Sequence, residues 1–162
     1  MTITFFVPGI PRPGGSKRGF YIPKLNRVVI TEDCKKSKDW RTSVAWAAAE
    51  HIPEPLTGPL MARFCFRLPR PKGHYGSGRN SSNLKSSAPP WPAVKPDVTK
   101  LVRSTEDSLK GIAWIDDSQV VSQHATKEYG RPGCEITIAT MIWRDEHKPV
   151  EYPQTEERVL FS

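Results

Sequence analysis

The stretch from Lys95 to Gln119, KPDVTKLVRSTEDSLKGIAWIDDSQ, predicts the central helix of the fold and the turn after it. Asp97 is a good N-cap, because its carboxylate can accept hydrogen bonds from the free N–H groups of a first helical turn. Gly111 supplies the stop, and Asp116-Asp117-Ser118 is typical of a turn before a strand. Between them, side chains that can be buried recur at helical spacing and predict one buried stripe: Val98, Leu101, Val102, Thr105, Leu109 and Ile112.

The polar face of this helix carries groups that could act on a phosphate. Its members lie three or four residues apart and are therefore stacked one above another: Thr99, Arg103, Glu106, Asp107 and Lys110. We expect Arg103 to face the same site as Asp97. Because Asp117 comes just before a strand, we also expect it to be held beside the N-terminus of this helix.

Two carboxylates that converge from separate elements are typical of a Mg²⁺ site, since this cation takes oxygen ligands from one or two carboxylates and keeps several waters. Such a site suits the hydrolysis of phosphodiesters. Each residue also has an ordinary interpretation. Asp97 could be a plain N-cap, the Asp116-Asp117 pair a solvated turn, and Arg103 with Glu106 and Asp107 a surface ion pair of little energetic worth.

The motif K-P-D-x-x-x-L-x-R at 95–103, followed by W-x-D-D-S-Q-V at 114–120, resembles the RusA-type Holliday junction resolvases. In that family the helix start reads K-P-D-x-D-N-L-x-K. Its two aspartates, its lysine and the second aspartate of the later pair belong to the active site. The resemblance implies that Asp97, Asp117 and Arg103 are catalytic, and that Asp97 and Asp117, with Asp116, hold Mg²⁺ or Mn²⁺.

The same resemblance implies a structure-selective endodeoxyribonuclease that resolves four-way junctions in DNA recombination and repair. It also implies a homodimer, which fits because a substrate with two-fold symmetry is most simply matched by a two-fold dimer. Asp97 and Asp117 would hold Mg²⁺ for in-line attack of a water on a phosphate. Arg103 would neutralise the developing charge.

Thr99 departs from the family pattern, because it stands where the second aspartate is expected. Arg103 replaces the lysine, and its guanidinium cannot act as a proton donor because it stays protonated. Glu106 or Asp107 could supply a carboxylate from elsewhere on the helix. The alternative function is a protein that binds branched DNA without cutting it, since binding would survive the loss of a carboxylate.

Two basic stretches favour nucleic acid as the partner. No acidic residue occurs between Glu54 and Asp97, nor from Arg12 to Arg27, and cations that are free of nearby carboxylates bind a phosphate backbone by releasing counterions. The expected DNA-binding residues are Arg70, Lys72, Arg79, Lys85, Lys95, Lys100, Lys17 and Arg18. Three aromatic residues of the same region could stack on exposed bases or pack on the domain: His74, Tyr75 and Trp91.

Composition agrees with this interpretation without proving it. The formal net charge is +7, which also suits a basic structural or interaction protein that has no junction preference. Cys34, Cys65 and Cys134 are odd in number and do not fit a zinc pattern, so we expect reduced thiols in a cytoplasmic protein, bacterial or phage-encoded. No run of about twenty apolar residues occurs, so we expect no membrane span.

The expected fold is α/β, a single domain with a mixed β-sheet and two main helices packed on it. The nuclease domain should cover residues 1–143, with a long basic loop at 69–94, and residues 144–162 should form an acidic C-terminal extension. Gly130-Arg131-Pro132-Gly133 is typical of a hairpin. Strands are expected at 3–7, 28–31, 60–68, 120–126 and 135–142, and the other helix at about 33–51.

Overall fold

The computed structural model describes residues 1–14, 17–22, 26–32 and 37–142, the segments 17–22 and 27–32 by their backbone. The expected C-terminal extension at 144–162 lies outside the described residues. In chain order the elements are β1 Thr2–Pro8, β2 Lys17–Ile22, β3 Arg27–Glu32, α1 Ser37–His51, β4 Leu60–Leu68, α2 Val98–Leu109, β5 Val120–Tyr129 and β6 Gly133–Thr140.

Four of these strands form one mixed sheet in the order β1-β6-β4-β5. β4 and β5 are parallel, whereas β4 with β6 and β1 with β6 are antiparallel. A parallel pair needs a crossover connection, and α2 provides it between β4 and β5. The predicted α/β fold with a mixed sheet and two helices is therefore confirmed.

The core lies between the two helices and one face of the sheet. In β4, alternate side chains from Leu60 to Leu68 are buried, as the period-two pattern predicted. Trp40, Val44 and Ala48 form the buried face of α1. In α2 the expected stripe is buried at Leu101, Val102, Thr105 and Leu109. Gly111 has a φ of 79°, a conformation that glycine adopts at low cost, and ends the helix as predicted.

Two details of the strand prediction are wrong. Residues 130–133 do turn the chain, but β5 and β6 are not a hairpin, because β4 lies between them and the Gly130 N–H donates to the Leu68 carbonyl at 3.0 Å. In addition, the basic stretch from Arg12 to Arg27, where no strand was expected, contains β2, which pairs with β3 in a separate two-stranded sheet.

The direction of α2 relative to β5 determines where the candidate residues lie. Near the end of β5, Lys127 Nζ donates to the Pro96 carbonyl, just before α2 begins, at 2.9 Å. Nearer its start, Gln123 Nε2 donates to the Glu106 carboxylate in the last turns of α2. The two elements are therefore antiparallel. Neither described helix has the length and apolar character needed to span a membrane.

Candidate active site

Asp117 begins a short 3-10 turn, 117–119, directly before β5. Its Oδ1 accepts a hydrogen bond from the indole N–H of Trp114 at 2.9 Å, and its Oδ2 lies 3.7 Å from the Lys110 ammonium. Because Trp114 is fully buried, its ring fixes the carboxylate against the core while the charged side of Asp117 stays accessible. The turn thus fixes the orientation of the Asp117 carboxylate, and Lys110 balances its negative charge only in part.

Asp116 has a capping role in the same turn. Its carboxylate accepts from the Ser118 N–H at 3.0 Å, and the Gln119 side chain accepts from the Asp116 N–H at 3.1 Å. Lys110 lies 2.8 Å from the other oxygen of Asp116. This hydrogen bond from Lys110, more than the one from Ser118, holds the pKa of Asp116 well below its usual range. Its assignment as a metal ligand stays a prediction.

Glu106 lies one turn before Lys110, the residue that contacts Asp117, and its carboxylate is within electrostatic reach of Asp117. Burial raises the pKa of Glu106, and the negative charges of Asp117 and then Asp107 raise it further, while the hydrogen bond from Gln123 opposes them. Asp107 points toward α1, where Arg41 lies 3.3 Å away. Neighbouring side chains on an α-helix point about 100° apart around the helix axis. Glu106 therefore faces β5 and the site, whereas Asp107 faces α1. The sequence left Glu106 and Asp107 as equal alternatives.

Asp97 occupies the N-cap position of α2 with an extended backbone, as predicted, but its side chain makes no capping hydrogen bond. Its Oδ2 lies instead 3.1 Å from the ammonium of Lys100, one turn along the helix, and about half of each side chain is exposed. The carboxylate is therefore available at the surface. An ordinary N-cap would have engaged it with the helix backbone.

Asp97 and Asp117 do not meet within one chain. Asp117 contacts Lys110, thirteen residues along the chain from Asp97, and a rise of 1.5 Å per residue separates these helix positions by roughly 20 Å. The expectation that Asp117 would lie beside the N-terminus of α2 is wrong, because α2 runs antiparallel to β5 and its C-terminal end meets the turn before this strand. In the described part of the chain, no group of three or more His, Cys, Asp and Glu side chains could hold a metal ion.

One flank of α2 carries the remaining candidate groups. Arg103 and Thr99 are exposed and lie three and seven residues before Glu106, so all three share a side of the helix. Because Glu106 contacts Gln123 of β5, this flank faces the β5 edge of the sheet. Arg103 lies three residues from Glu106 and six from Asp97. Along the helix it is therefore nearer to Glu106 than to Asp97.

Six of the eight expected DNA-binding residues have described side chains. Lys72, Arg79 and Lys85 are exposed in the loop after β4, and Lys95 and Lys100 lie near Asp97. Arg70 lies over the ring of Tyr129, 4.2 Å from its centroid. Lys17 and Arg18 belong to β2, where only the backbone is described.

The three aromatic residues of the loop differ in exposure. His74 is half-buried and makes an edge contact with Tyr129, with 5.5 Å between ring centroids. Tyr75 is also half-buried, and its backbone forms a bridge with Leu84. Trp91 is 63% exposed and is free to meet a ligand.

Comparison with known proteins supports the resemblance. The model of the family described as endodeoxyribonuclease RusA matches residues 11–139, a region that includes both ends of α2 and the basic loop. The chain is also similar to a protein named YqaN, called uncharacterized, from Bacillus subtilis (strain 168). The two are 36% identical over 141 residues, which cover 84% of this chain and 94% of that protein. The chain belongs to the RusA endodeoxyribonuclease family.

Proposed function

We propose that this protein resolves four-way DNA junctions by phosphodiester hydrolysis with the help of a divalent cation, in recombination and repair. The observation that carries the proposal is the position of Glu106 one helical turn before Lys110, whose ammonium lies 3.7 Å from Asp117. It brings a carboxylate of α2 close to the turn before β5, in a chain where Thr99 stands at the position of a family aspartate. Such an enzyme would work in the cytoplasm, where bacterial or phage DNA lies.

The donor groups at this end of α2 fit a hard divalent cation. Asp117 and Glu106 offer carboxylate oxygens, and their mutual repulsion is the kind that a cation between them relieves. Mg²⁺ or Mn²⁺ bound there would supply Lewis-acid chemistry for attack on a phosphate. Trp114 would keep Asp117 in place through its hydrogen bond of 2.9 Å.

The protein groups around the pair have separate roles in the proposed reaction. Glu106 is placed to accept a proton from the attacking water, because its carboxylate lies on the side of α2 that faces β5. Gln123 orients it by a hydrogen bond. Arg103, one turn earlier on the same flank, would stabilise the charge that develops on the phosphate, a role suited to a permanently charged guanidinium.

Asp97 would join this site from a second subunit. Within the described residues, β5 has a neighbouring strand on one side alone, and the apolar side chains of Val121 and Ile115 near this edge are 60% and 63% exposed. A two-fold axis that places two β5 strands side by side would make the two α2 helices antiparallel. The N-terminal end of one α2 would then lie against the C-terminal end of the other, with Asp97 near Asp117 of the partner subunit.

Subunit mixing tests this arrangement. Asp97→Asn and Asp117→Asn should each abolish cutting of a mobile four-way junction in Mg²⁺. Mixed dimers should nick it again, because one of their two sites then holds both native carboxylates. A mixture that stays inactive beside an active wild-type protein would exclude a shared site. A wild-type protein that never cuts, with any divalent cation, would overturn the proposed activity itself.

Cross-linking gives a second measurement that does not depend on cutting. A protein with both Asp97→Cys and Asp117→Cys should form a covalent dimer under mild oxidation, seen on a non-reducing gel. Each single variant reports the background from the native cysteines. A double variant that gives no more covalent dimer than the single ones would place the two residues apart in the assembly.

Thr99 supports a second candidate function, the binding of branched DNA without cleavage. Its hydroxyl is exposed on the flank that faces the β5 edge, where a family member would carry a carboxylate. Cutting by the natural chain and by Thr99→Asp separates the two functions. If only the variant cuts, the natural protein is a junction binder. If both cut and the variant is faster, the natural site works with Glu106 in place of the family aspartate.

A further inference from the structure

A cavity of about 500 Å³ opens at the end of the sheet where the strands β4 and β5 finish. The Asp117 turn lies at the opposite end of these strands. Prolines and a few other apolar groups form its walls, among them Pro11, Leu68, Pro92 and Tyr129. The volume lies within the range of pockets that hold small organic ligands, and such pockets are mostly apolar with a few polar groups.

The rim of this cavity is basic. Among the described residues that line it, Arg12, Lys95 and Lys100 are basic, and Asp97, which pairs with Lys100 at 3.1 Å, is the one carboxylate. An apolar interior with three cations and one anion at its mouth complements a ligand with a flat apolar body and negative charge at its ends. A nucleotide within a DNA strand has this distribution, since its base is apolar on both faces and phosphates flank it.

Several contacts hold the walls in place. Lys127 donates to the carbonyls of Val94 and Pro96, at 2.7 and 2.9 Å. Arg70 lies over the Tyr129 ring and also donates to the Pro89 carbonyl at 2.9 Å. On the other side, the Gly14 N–H donates to the Lys100 carbonyl at 3.1 Å. The cavity is therefore built by segments that are tied to β5 and α2.

We propose that this cavity holds one unstacked nucleotide of branched DNA. The base lies among the prolines and against Tyr129, and the neighbouring phosphates contact Arg12, Lys95 and Lys100. Taking a base out of the stack costs least where pairing is already disrupted, as at a branch point. The cavity would therefore favour junctions over duplex DNA.

This inference rests on the DNA-binding part of the proposed function and extends it. Asp97 is both a wall residue of the cavity and a proposed member of the catalytic site. A nucleotide seated in the cavity would lie next to that carboxylate. Capture of the base would thus position the strand for cutting, in addition to strengthening its binding.

Binding measurements without divalent cation test the proposal separately from cutting. Four-way junctions are prepared with an abasic nucleotide at each position near the branch point in turn. For the wild-type protein, one position should weaken binding about tenfold, which is the usual worth of stacking one base on a protein. Val94→Trp fills the mouth from an exposed wall position and should remove this dependence. It should bind intact and abasic junctions equally weakly.

Leu84→Trp is the matched control, because Leu84 is an exposed aliphatic residue of the same loop that does not line the cavity. This variant should keep the tenfold preference. The proposal is overturned if no abasic position weakens wild-type binding, or if Val94→Trp keeps the full dependence on the base. A protein that binds junctions in this way but never cuts them would refute the proposed activity and leave the cavity's role standing.

Discussion

The two ends of α2 present opposite chemical environments. At the C-terminal end, Asp116, Asp117 and Glu106 are held by specific partners that include Lys110, Trp114 and Gln123. At the N-terminal end, Asp97 pairs with Lys100 and lies at the mouth of an apolar cavity with a basic rim. One end is thus organised around negative charge and the other around positive charge. A family motif that reads as one site in sequence is therefore divided between two places in the fold.

This division suggests separate duties. The pair of carboxylates from Glu106 and Asp117 suits a cation and the chemistry at a phosphate, whereas a cavity with a basic rim suits the capture and positioning of a DNA strand. Substitutions at the C-terminal end should therefore affect cutting more than binding. Substitutions of the basic groups should affect binding more than cutting. The following measurements test this contrast.

The largest effect is expected from Asp117→Asn. Loss of groups that only support a metal ligand typically costs 10- to 100-fold, so loss of the carboxylate itself should lower the cutting rate at least about 100-fold. Junction affinity without divalent cation should stay within about twofold. Asp107→Asn is the control, since Asp107 pairs with Arg41 on the α1 side. Equal cutting by Asp117→Asn and the wild type would remove Asp117 from the site.

Trp114→Phe should lower the cutting rate by about tenfold, because an aromatic ring is kept in the core while the N–H that orients Asp117 is lost. Stability should fall by more than about 1 kcal/mol, because the missing hydrogen bond and the smaller buried ring both cost free energy of unfolding. Trp40→Phe is a matched control. It removes a similar buried indole bond, to Thr105 at 3.2 Å, on the α1 side of α2. If both variants lose the same activity, Trp114 has a structural role and does not position Asp117.

Lys72→Ala with Arg79→Ala should weaken DNA binding several-fold at low salt, because both exposed cations would contact phosphates. Each lost contact should also reduce the slope of log affinity against log salt by about 1. The loss should be similar for junction and duplex. Lys38→Ala, on α1, should change neither quantity, and a salt slope that stays at the wild-type value would exclude the loop as a phosphate-binding arm.

The smallest expected effect concerns the contribution of Glu106 to the stability of the protein. The pKa of Glu106 is raised in the folded protein, so its ionised form costs stability above the unfolded-state pKa of about 4.3. Glu106→Gln should therefore raise the free energy of unfolding at pH 7 to 8, by less than about 1 kcal/mol, and should have no effect near pH 4. Added Mg²⁺ should reduce this gain in the free energy of unfolding. Glu50→Gln, on α1, gives the background, and a gain that is as large at pH 4 would point to packing instead of charge.

Much of the architecture follows from patterns in the sequence. The alternation in β4 and the buried stripe of α2 each arise within one element, so a local pattern is sufficient to predict them. The position of β6 between β1 and β4 depends on pairing across more than a hundred residues, which no local pattern records. The β2 strand begins with Lys17, Arg18 and Gly19, a composition typical of loops, and its strand-forming residues, Phe20 to Ile22, are too few to give a clear alternating pattern.

The candidate site was predictable in its residues more than in its geometry. The spacing of Asp97, Arg103 and Asp117 identifies the family, but it does not determine the direction of α2 relative to β5. That direction depends on the crossover connection and places Asp117 at the far end of the helix. Likewise, the choice of Glu106 over Asp107 depends on how α2 is rotated against Arg41 and Gln123.

The order of strands in the main sheet has a consequence for how the chain is made. Every neighbouring pair joins a strand from the first half of the chain to one from the second, and Thr2 at the start pairs with Ala139. Such non-local pairing folds slowly, because the chain has to close long loops first. During synthesis the first strand has to wait, unpaired, until almost the whole protein has left the ribosome. A prematurely terminated chain would expose β1 and β4 without partners and would be prone to aggregation.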